Sequence, residues 1–456
     1  MGTEPRTVAE VARALRAGET TSEAITEQCL ARIAERNPSL NAFITVLEDE
    51  AREQARAADR EMRAGQHRGP LHGVPISLKD LFDLRGTRTT AASRVRRHHL
   101  AASDAVVTAR LREAGAVFVG KTNLHEFALG TTNEDSAFGP AHHPLDPSRS
   151  PGGSSGGSAA SVLAEMAYAS VGTDTGGSIR IPSAACGLVG LKPAFGEIPT
   201  SGVVPLSTTL DHVGPICRSV EDAGMLYDVL RGAPATVGAT HASPLRAARG
   251  LRLGVLRGYF TALLDPQVAA AFEGTCGRLR DAGVALEDVD IPHASDIAPI
   301  YLHIVLSEAA AYHAKTLESR ADDYTPNVRL RLEMGRYILA EDYTRALRGR
   351  DVLTREVNDV LKGRDGLLLP SLAVPATTLG VAMVRVGGSE EPVRNITLRL
   401  TQLFNVTGHP AITMPCGTTT DGLPIGAQLV GHHDKTAALL DVALAIEPYL
   451  RPGTSR

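Results

Sequence analysis

Two glycine-flanked serines and one lysine set the first half of the chain apart. Ser154 and Ser155 lie in the run Gly152-Gly153-Ser154-Ser155-Gly156-Gly157-Ser158. Ser178 follows 24 positions after Ser154, in Gly172-Thr173-Asp174-Thr175-Gly176-Gly177-Ser178-Ile179-Arg180. Upstream, Lys79 closes the apolar run from Gly73 to Leu78. Glycines on either side of a serine let backbone N–H groups crowd around it, since no Cβ blocks close approach. Such converging N–H groups stabilise a developing oxyanion, and here the candidates are the amides of Thr175, Gly176, Gly177 and Ser178. A serine beside them needs only a base, and a lysine kept neutral by burial can serve. These residue types therefore suggest acyl transfer through a Ser–Ser–Lys relay.

Each of these residues also has a plainer reading. Ser178 could cap a helix after a glycine turn. Ser154 stands beside Ser155 and Ser158, which are loop serines of the same kind. At a strand end, Lys79 could simply pair with Asp80 or Asp83. Lys121 and Lys192 are rival lysines, and Asp174 and Arg180 could form an ordinary surface ion pair or brace the loop by charge-assisted hydrogen bonds. Cys186 reads as a core residue. His125-Glu126 lacks the second histidine of a zinc protease helix, so no metal is expected. Neither glycine loop carries the Gly-Lys-[Ser/Thr] ending of a phosphate-binding loop or the spacing of a dinucleotide fingerprint. No cofactor is expected.

The set of motifs resembles the amidase signature family of serine amide hydrolases. The core of the match runs from about Leu71 to Pro215. It is carried by Gly73 to Asp80, Gly120-Lys121-Thr122-Asn123, Gly152 to Ser158 and Asp174 to Arg180. Fainter matching phrases lie at Leu15 to Thr20, Asp365 to Pro370, Asn405 to Pro410, Pro415-Cys416-Gly417 and Gly422 to Gly426. The resemblance implies one large α/β domain over 1–456, with N-terminal helices at about 5–65 and a mixed central sheet covered by helices on both faces. It implies Ser178 as nucleophile, Ser154 as proton bridge after a cis peptide, Lys79 as base, and support of the loop by Ser155, Asp174 and Arg180. The Gly-Lys-Thr-Asn phrase of Lys121 and the Gly-Leu-Lys-Pro phrase of Lys192 match structural segments. The expected activity is cleavage of a small-molecule carboxamide to an acid plus ammonia or an amine. The competing reading is the A (glutaminase) subunit of a tRNA-dependent amidotransferase, and a third is an inactive scaffold on the same fold. Against the glutaminase reading, Ser219 to Ala223 leads into Arg231 to Ala235 rather than the phrase usual there. Substrate choice is expected from Ala128 to Phe138, Ile300 to Tyr343 and Val381 to Leu403. There, Arg394, Arg399 and Gln402 are candidates for binding a carboxylate or amide.

The elements that must hold these residues follow from periodicity. Helical spacing marks Val8 to Leu15, Ile25 to Arg32 with Thr21 or Ser22 as N-cap, Glu48 to Ala64 and Ala105 to Ala114. Short apolar runs at Val74 to Leu78, Val117 to Val119 and Ala167 to Val171 read as strands. A helix is expected over Ser155 to Ala164, and Ser178 at or near the N-terminus of another. Later strands fall at Leu251 to Leu256, Val284 to Val289, Gly366 to Pro370 and Ala411 to Met414. A helix over Gln267 to Ala282 lies between the first two of these, and His303 to Val360 reads as mostly helical. Alternation of helix and strand is the α/β pattern.

The bulk numbers set outer bounds. The 456 residues carry a net charge of −4 and only 4% aromatic residues with no tryptophan, which offers neither a basic footprint nor a stacking platform for nucleic acid. Five dispersed cysteines argue against a disulfide frame and for a reducing, cytoplasmic setting. No signal peptide or membrane span is legible, so no membrane partner is expected; a homodimer is left open. Only six lysines occur, and arginine cannot replace one whose task is to lose a proton.

Overall fold

The computed structural model describes residues 6–233 and 247–452. The end of the phrase Arg231 to Ala235 therefore lies outside the described residues. Eleven strands form one mixed sheet, and its arrangement follows from which runs are apolar on both faces. In chain order the strands are β1 (Phe43–Val46), β2 (Pro75–Lys79), β3 (Val117–Thr122), β4 (Ala169–Asp174), β5 (Val189–Lys192), β6 (His212–Cys217), β7 (Arg252–Leu256), β8 (Ala285–Val289), β9 (Gly366–Pro370), β10 (Met383–Val386), β11 (Ser389–Pro392), β12 (Ala411–Thr418) and β13 (Pro424–Val430). The sheet order is β1-β3-β2-β4-β6-β5-β12-β13-β9-β7-β8, and β10 pairs with β11 in a separate hairpin.

Strands β2, β3, β4, β5 and β6 are buried along their whole length. Near-continuous burial is expected where helices cover both faces of a sheet, and it explains why β2, β3 and β4 read as apolar runs rather than alternations. The β3 and β4 runs reach further than their apolar residues suggest: β3 takes in Gly120, Lys121 and Thr122, and β4 takes in Gly172, Thr173 and Asp174. Pairing extends both. Thr122 lies opposite Lys79, and Thr173 and Asp174 lie opposite Val213 and His212. Strand β6 is not legible from its own residues, because its His, Gly and Pro mask a segment that the sheet itself completes.

Helix ends follow local chemistry. Thr21 caps Ser22–Leu40 by accepting from the Ala24 N–H, Thr7 and Glu10 form a reciprocal capping box before Val8–Ala17, and Asp265 caps Pro266–Asp281. The motif-free stretch after His303 resolves into Ile297–Arg320, Pro326–Gly335 and Ala340–Leu361, which pack over a second apolar core. All five cysteines are free and buried. Among the described residues, no helix is long and apolar enough to cross a membrane.

One feature of this core is polar. Lys121 and Asp80 are both fully buried and pair at 2.8 Å. Lys121 Nζ also donates to the Arg88 carbonyl and the Thr89 hydroxyl, while Asp80 accepts from the Thr90 N–H. Removing one partner of such a pair strands a charge in low dielectric. Lys121→Met should therefore destabilise the fold by about 3–5 kcal/mol, read from denaturant unfolding, and adding Asp80→Asn should restore part of the loss.

Candidate active site

Lys79 is the last residue of β2, and β2 runs parallel to β4 with Leu78 opposite Val171. This register brings the Lys79 side chain to the C-terminal end of β4, where Thr173 lies. Lys79 is fully buried, and its Nζ donates to Ser154 Oγ and to Thr173 Oγ1, each at 2.8 Å. Neither Asp80 nor Asp83 takes the lysine: Asp80 belongs to Lys121. Burial is the dominant influence and pushes the Lys79 ammonium down to about 7, with the charges of Asp174 and Asp211 pulling weakly the other way.

The first glycine loop carries Ser154 across a cis Gly153–Ser154 peptide. Ser154 is fully buried, and its carbonyl accepts from the His125 N–H at 3.1 Å. A Cβ on Gly153 would fall within 3.0 Å of backbone atoms of residues 131–133, so only glycine admits this approach. Ser155 ties the two loops together. Its N–H donates to the Ser178 carbonyl at 3.3 Å, and its hydroxyl donates to the Thr173 carbonyl at 3.2 Å. The helix Gly156–Leu163 begins immediately after it.

The second loop joins β4 to the helix Arg180–Ala185, so Ser178 sits two residues before a short helix rather than inside its first turn. Ser178 is 5% exposed, unlike Ser154, which leaves its hydroxyl the more open of the two. Among the described residues, the N–H groups of Gly176, Gly177 and Ser178 donate to no protein acceptor. The loop is fixed from outside instead. The Thr401 hydroxyl donates to the Gly176 carbonyl at 2.6 Å, and the Thr175 hydroxyl donates to Asp211 Oδ1 at 2.6 Å. Burial raises the Asp211 carboxyl to about 6 against the hydrogen bonds from Thr175, Leu206 and Ser207.

Asp174 and Arg180 are not a surface pair. Both are fully buried and joined by two bonds, Nη2 to Oδ1 at 2.9 Å and Nε to Oδ2 at 3.0 Å. Burial would push the Asp174 carboxyl up, but the Arg180 guanidinium overrides it and holds the group well below the usual carboxylate range. Arg180 Nη1 reaches the Thr401 carbonyl and Gln428 Oε1, and Asn405 Nδ2 donates to Asp174. Lys192, also buried, donates to the Pro193 carbonyl. Among the described residues no His/Cys/Asp/Glu group could hold a metal ion.

The structure thus brings together Lys79, Ser154, Ser155, Asp174, Ser178 and Arg180 with the loop amides. Sequence reasoning has no means to single out Thr173, Asp211 or Thr401 as partners. Only Asn405 carries a signal, as the first residue of the Asn405 to Pro410 phrase.

Comparison with known proteins places the chain in a family. The family model for amidases matches residues 24–440. An amidase of Pseudomonas putida is 40% identical over 91% of this chain and 90% of its own length. The A subunit of the glutamyl-tRNA(Gln) amidotransferase from Koribacter versatilis is 35% identical over 95% of this chain and 96% of its own. A crystal structure of an amidase superposes with a TM-score of 0.91 at 36% identity, covering 97% of this chain and 100% of the other. The chain belongs to the amidase signature family of amide hydrolases.

Crowding of the loop yields a test. Gly177 has φ +141°, and a Cβ there would lie 2.3 Å from Thr401 Oγ1; at Gly196, with φ +82°, a Cβ would meet nothing within 4 Å. Gly177→Ala should lower stability by about 1–3 kcal/mol more than Gly196→Ala. Calorimetric melting of both variants reads the difference.

Proposed function

We propose that this chain is a serine amidohydrolase that cleaves a small-molecule carboxamide to an acid and ammonia or an amine. The observation that carries the reading is the buried Lys79 Nζ, which meets two hydroxyls at 2.8 Å and forms no ion pair among the described residues. A lysine in that setting is substantially neutral near pH 7 and can take a proton. In this reading Ser178 Oγ attacks the amide carbonyl while its proton passes to Ser154 and the Ser154 proton passes to Lys79. The tetrahedral oxyanion lies among the N–H groups of Thr175, Gly176, Gly177 and Ser178, at least three of which have no competing acceptor among the described residues. Reversing the relay protonates the leaving nitrogen and leaves an acyl-enzyme on Ser178. Water, deprotonated along the same path, then releases the acid. Nothing in the scheme calls on a metal or cofactor.

The similarity to amidotransferase A subunits supports a second reading, glutaminase action within a complex. Ammonia release by the purified chain across aliphatic, aryl and ω-carboxy amides and glutamine separates the two. Turnover of a non-glutamine amide by the chain alone supports the hydrolase, whereas a chain that reacts with a serine-directed phosphonate yet turns over no amide supports the complex. Failure to react with the phosphonate at Ser178 would indicate an inactive scaffold.

Two results follow from the relay. Ser178→Ala should abolish turnover, and Lys79→Ala should lower kcat/KM by at least about 10²-fold; a loss of only about tenfold would overturn the assignment of the base. The neutral amine is the working form, so kcat/KM should fall as pH drops through about 7, where Lys79 gains its proton. A pH–rate profile without a limb in that range would exclude Lys79 as the titrating group.

A further inference from the structure

A cavity of about 270 Å³ lies beside the loop that carries Ser178. Its inner wall includes Tyr301 and Leu398, and a Cβ placed on Gly176 would fall 2.4 Å from the Tyr301 hydroxyl and 3.0 Å from Leu398 Cδ2. The cavity therefore adjoins the loop, with Tyr301 and Leu398 shared between the two. Arg394, Arg399, Gln402 and Glu391 supply its polar lining.

The state of Arg394 is the informative one. Its guanidinium makes no hydrogen bond and no ion pair among the described residues, and its Nε is closed off from solvent. A guanidinium carries five N–H donors and is always charged. Leaving it partly buried without an acceptor costs free energy that a bound anion would recover. By contrast Arg399 is pinned: its guanidinium lies 3.7 Å over the Tyr259 ring, and Nη2 donates to the Tyr259 carbonyl at 2.8 Å. Glu391, the acidic group of the lining, accepts from the Ser389 hydroxyl at 2.9 Å and pairs with neither arginine. Two cations face one anion, so the cavity is positive overall. The Tyr301 hydroxyl and the Gln402 side-chain amide also have no hydrogen-bond partner among the described residues.

We propose that this cavity is a carboxylate subsite, in which Arg394 receives the anionic end of the amide substrate beside the Tyr301 hydroxyl and the Gln402 amide. The inference rests on the hydrolase reading and narrows it to amides that carry a carboxylate. That group belongs either to the acyl half, as in an ω-amide of a dicarboxylic acid, or to the amine half, as in an N-acyl amino acid. Planar bidentate donation is what an arginine offers a carboxylate and what a neutral chain end cannot use.

The test is binding, measured by calorimetric titration of Ser178→Ala protein so that no ligand is consumed. Two matched pairs are used: glutaramate against hexanamide, and N-butyrylglycine against N-propylbutanamide. The carboxylate member of one pair should bind about 10- to 100-fold more tightly than its neutral partner. Adding Arg394→Gln should bring that ratio close to one, and Arg394→Lys, which keeps charge but not the fork, should fall between. Thermal melting of each variant establishes that it is folded. The pair that shows the preference identifies the half carrying the carboxylate. Equal affinity within both pairs, no binding by any of the four, or a preference that survives Arg394→Gln would overturn the proposal. Because the readout does not need turnover, a preserved preference in a chain that hydrolyses nothing would sink the hydrolase reading alone.

Discussion

An ammonium group placed in the interior of a sheet, with hydroxyls rather than carboxylates as neighbours, is the constraint around which this structure is arranged. Removing a charge from water is costly, and the usual remedies are an opposite charge or loss of the proton. The molecule contains three fully buried lysines near the glycine loops and treats them differently. Lys121 receives Asp80 at 2.8 Å. Lys192 donates to a backbone carbonyl, and burial, reinforced by the positive charge of Arg180, holds it well below the ordinary lysine range. Of the three, Lys79 alone meets two side-chain hydroxyls, those of Ser154 and Thr173. Low proton affinity is therefore not what sets Lys79 apart, since Lys192 has it too. What distinguishes Lys79 is the combination: Lys121 meets the Thr89 hydroxyl but also the Asp80 carboxylate, Lys192 meets a backbone carbonyl, and Lys79 meets two hydroxyls and no carboxylate.

Keeping that geometry requires a second buried charge system. Asp174 ends β4 and Arg180 begins the next helix, so their two-bond pairing closes the second glycine loop at its base. Arg180 extends to Gln428 on β13 and to the Thr401 carbonyl, and Asn405 completes the Asp174 shell. Thus a short connection is locked to segments far downstream in the sequence. A buried pair of this kind contributes little net stability, because desolvation offsets most of the attraction. Its effect is positional: it fixes where the N–H groups of Gly176 to Ser178 point while leaving them unbonded. Preorganised donors of that sort act without reorganisation when charge develops.

How far the sequence could be read follows from the range of each interaction. Local features were legible. Glycine spacing announced both loops, the apolar run before Lys79 announced β2, and Thr21 and Asp265 begin helices by bonding to amides within three residues. Lys79, Ser154 and Ser178 could be singled out as candidates for the same reason, each lying in a short motif of its own. Partners supplied by distant segments were not. Nothing around Asp211 marks it as the acceptor of the Thr175 hydroxyl, and nothing around Thr401 marks it as the clamp on the Gly176 carbonyl. Likewise β6 became a strand because β4 and β5 lie on either side of it, not because its own residues demand one. The plain reading of Lys79 failed for this reason too: whether it pairs with its neighbour Asp80 depends on Lys121, which stands on β3 and takes that carboxylate.

The same division separates chemistry from selectivity. Residues that could move protons are contributed by strands β2 and β4 and by two glycine loops, all within 79–180 and all buried in the sheet or at its edge. The cavity beside the loop is built from Tyr259, Tyr301 and the 391–402 segment, which carry no motif of the kind seen around the serines. The two regions meet where Tyr301 and Leu398 pack against Gly176, where the Thr401 hydroxyl holds the Gly176 carbonyl and the Thr401 carbonyl accepts from Arg180, and where the Thr397 hydroxyl donates to that of Thr131. A substitution in the cavity wall can therefore reach the glycine loop through several contacts, the orientation of the Gly176 peptide among them. Arg394, further out along the wall, makes no side-chain hydrogen bond to the loop among the described residues. In a packed interior that transmits strain, the cavity wall and the glycine loop are therefore coupled through Tyr301, Leu398 and Thr401, and Arg394 is not among those contacts.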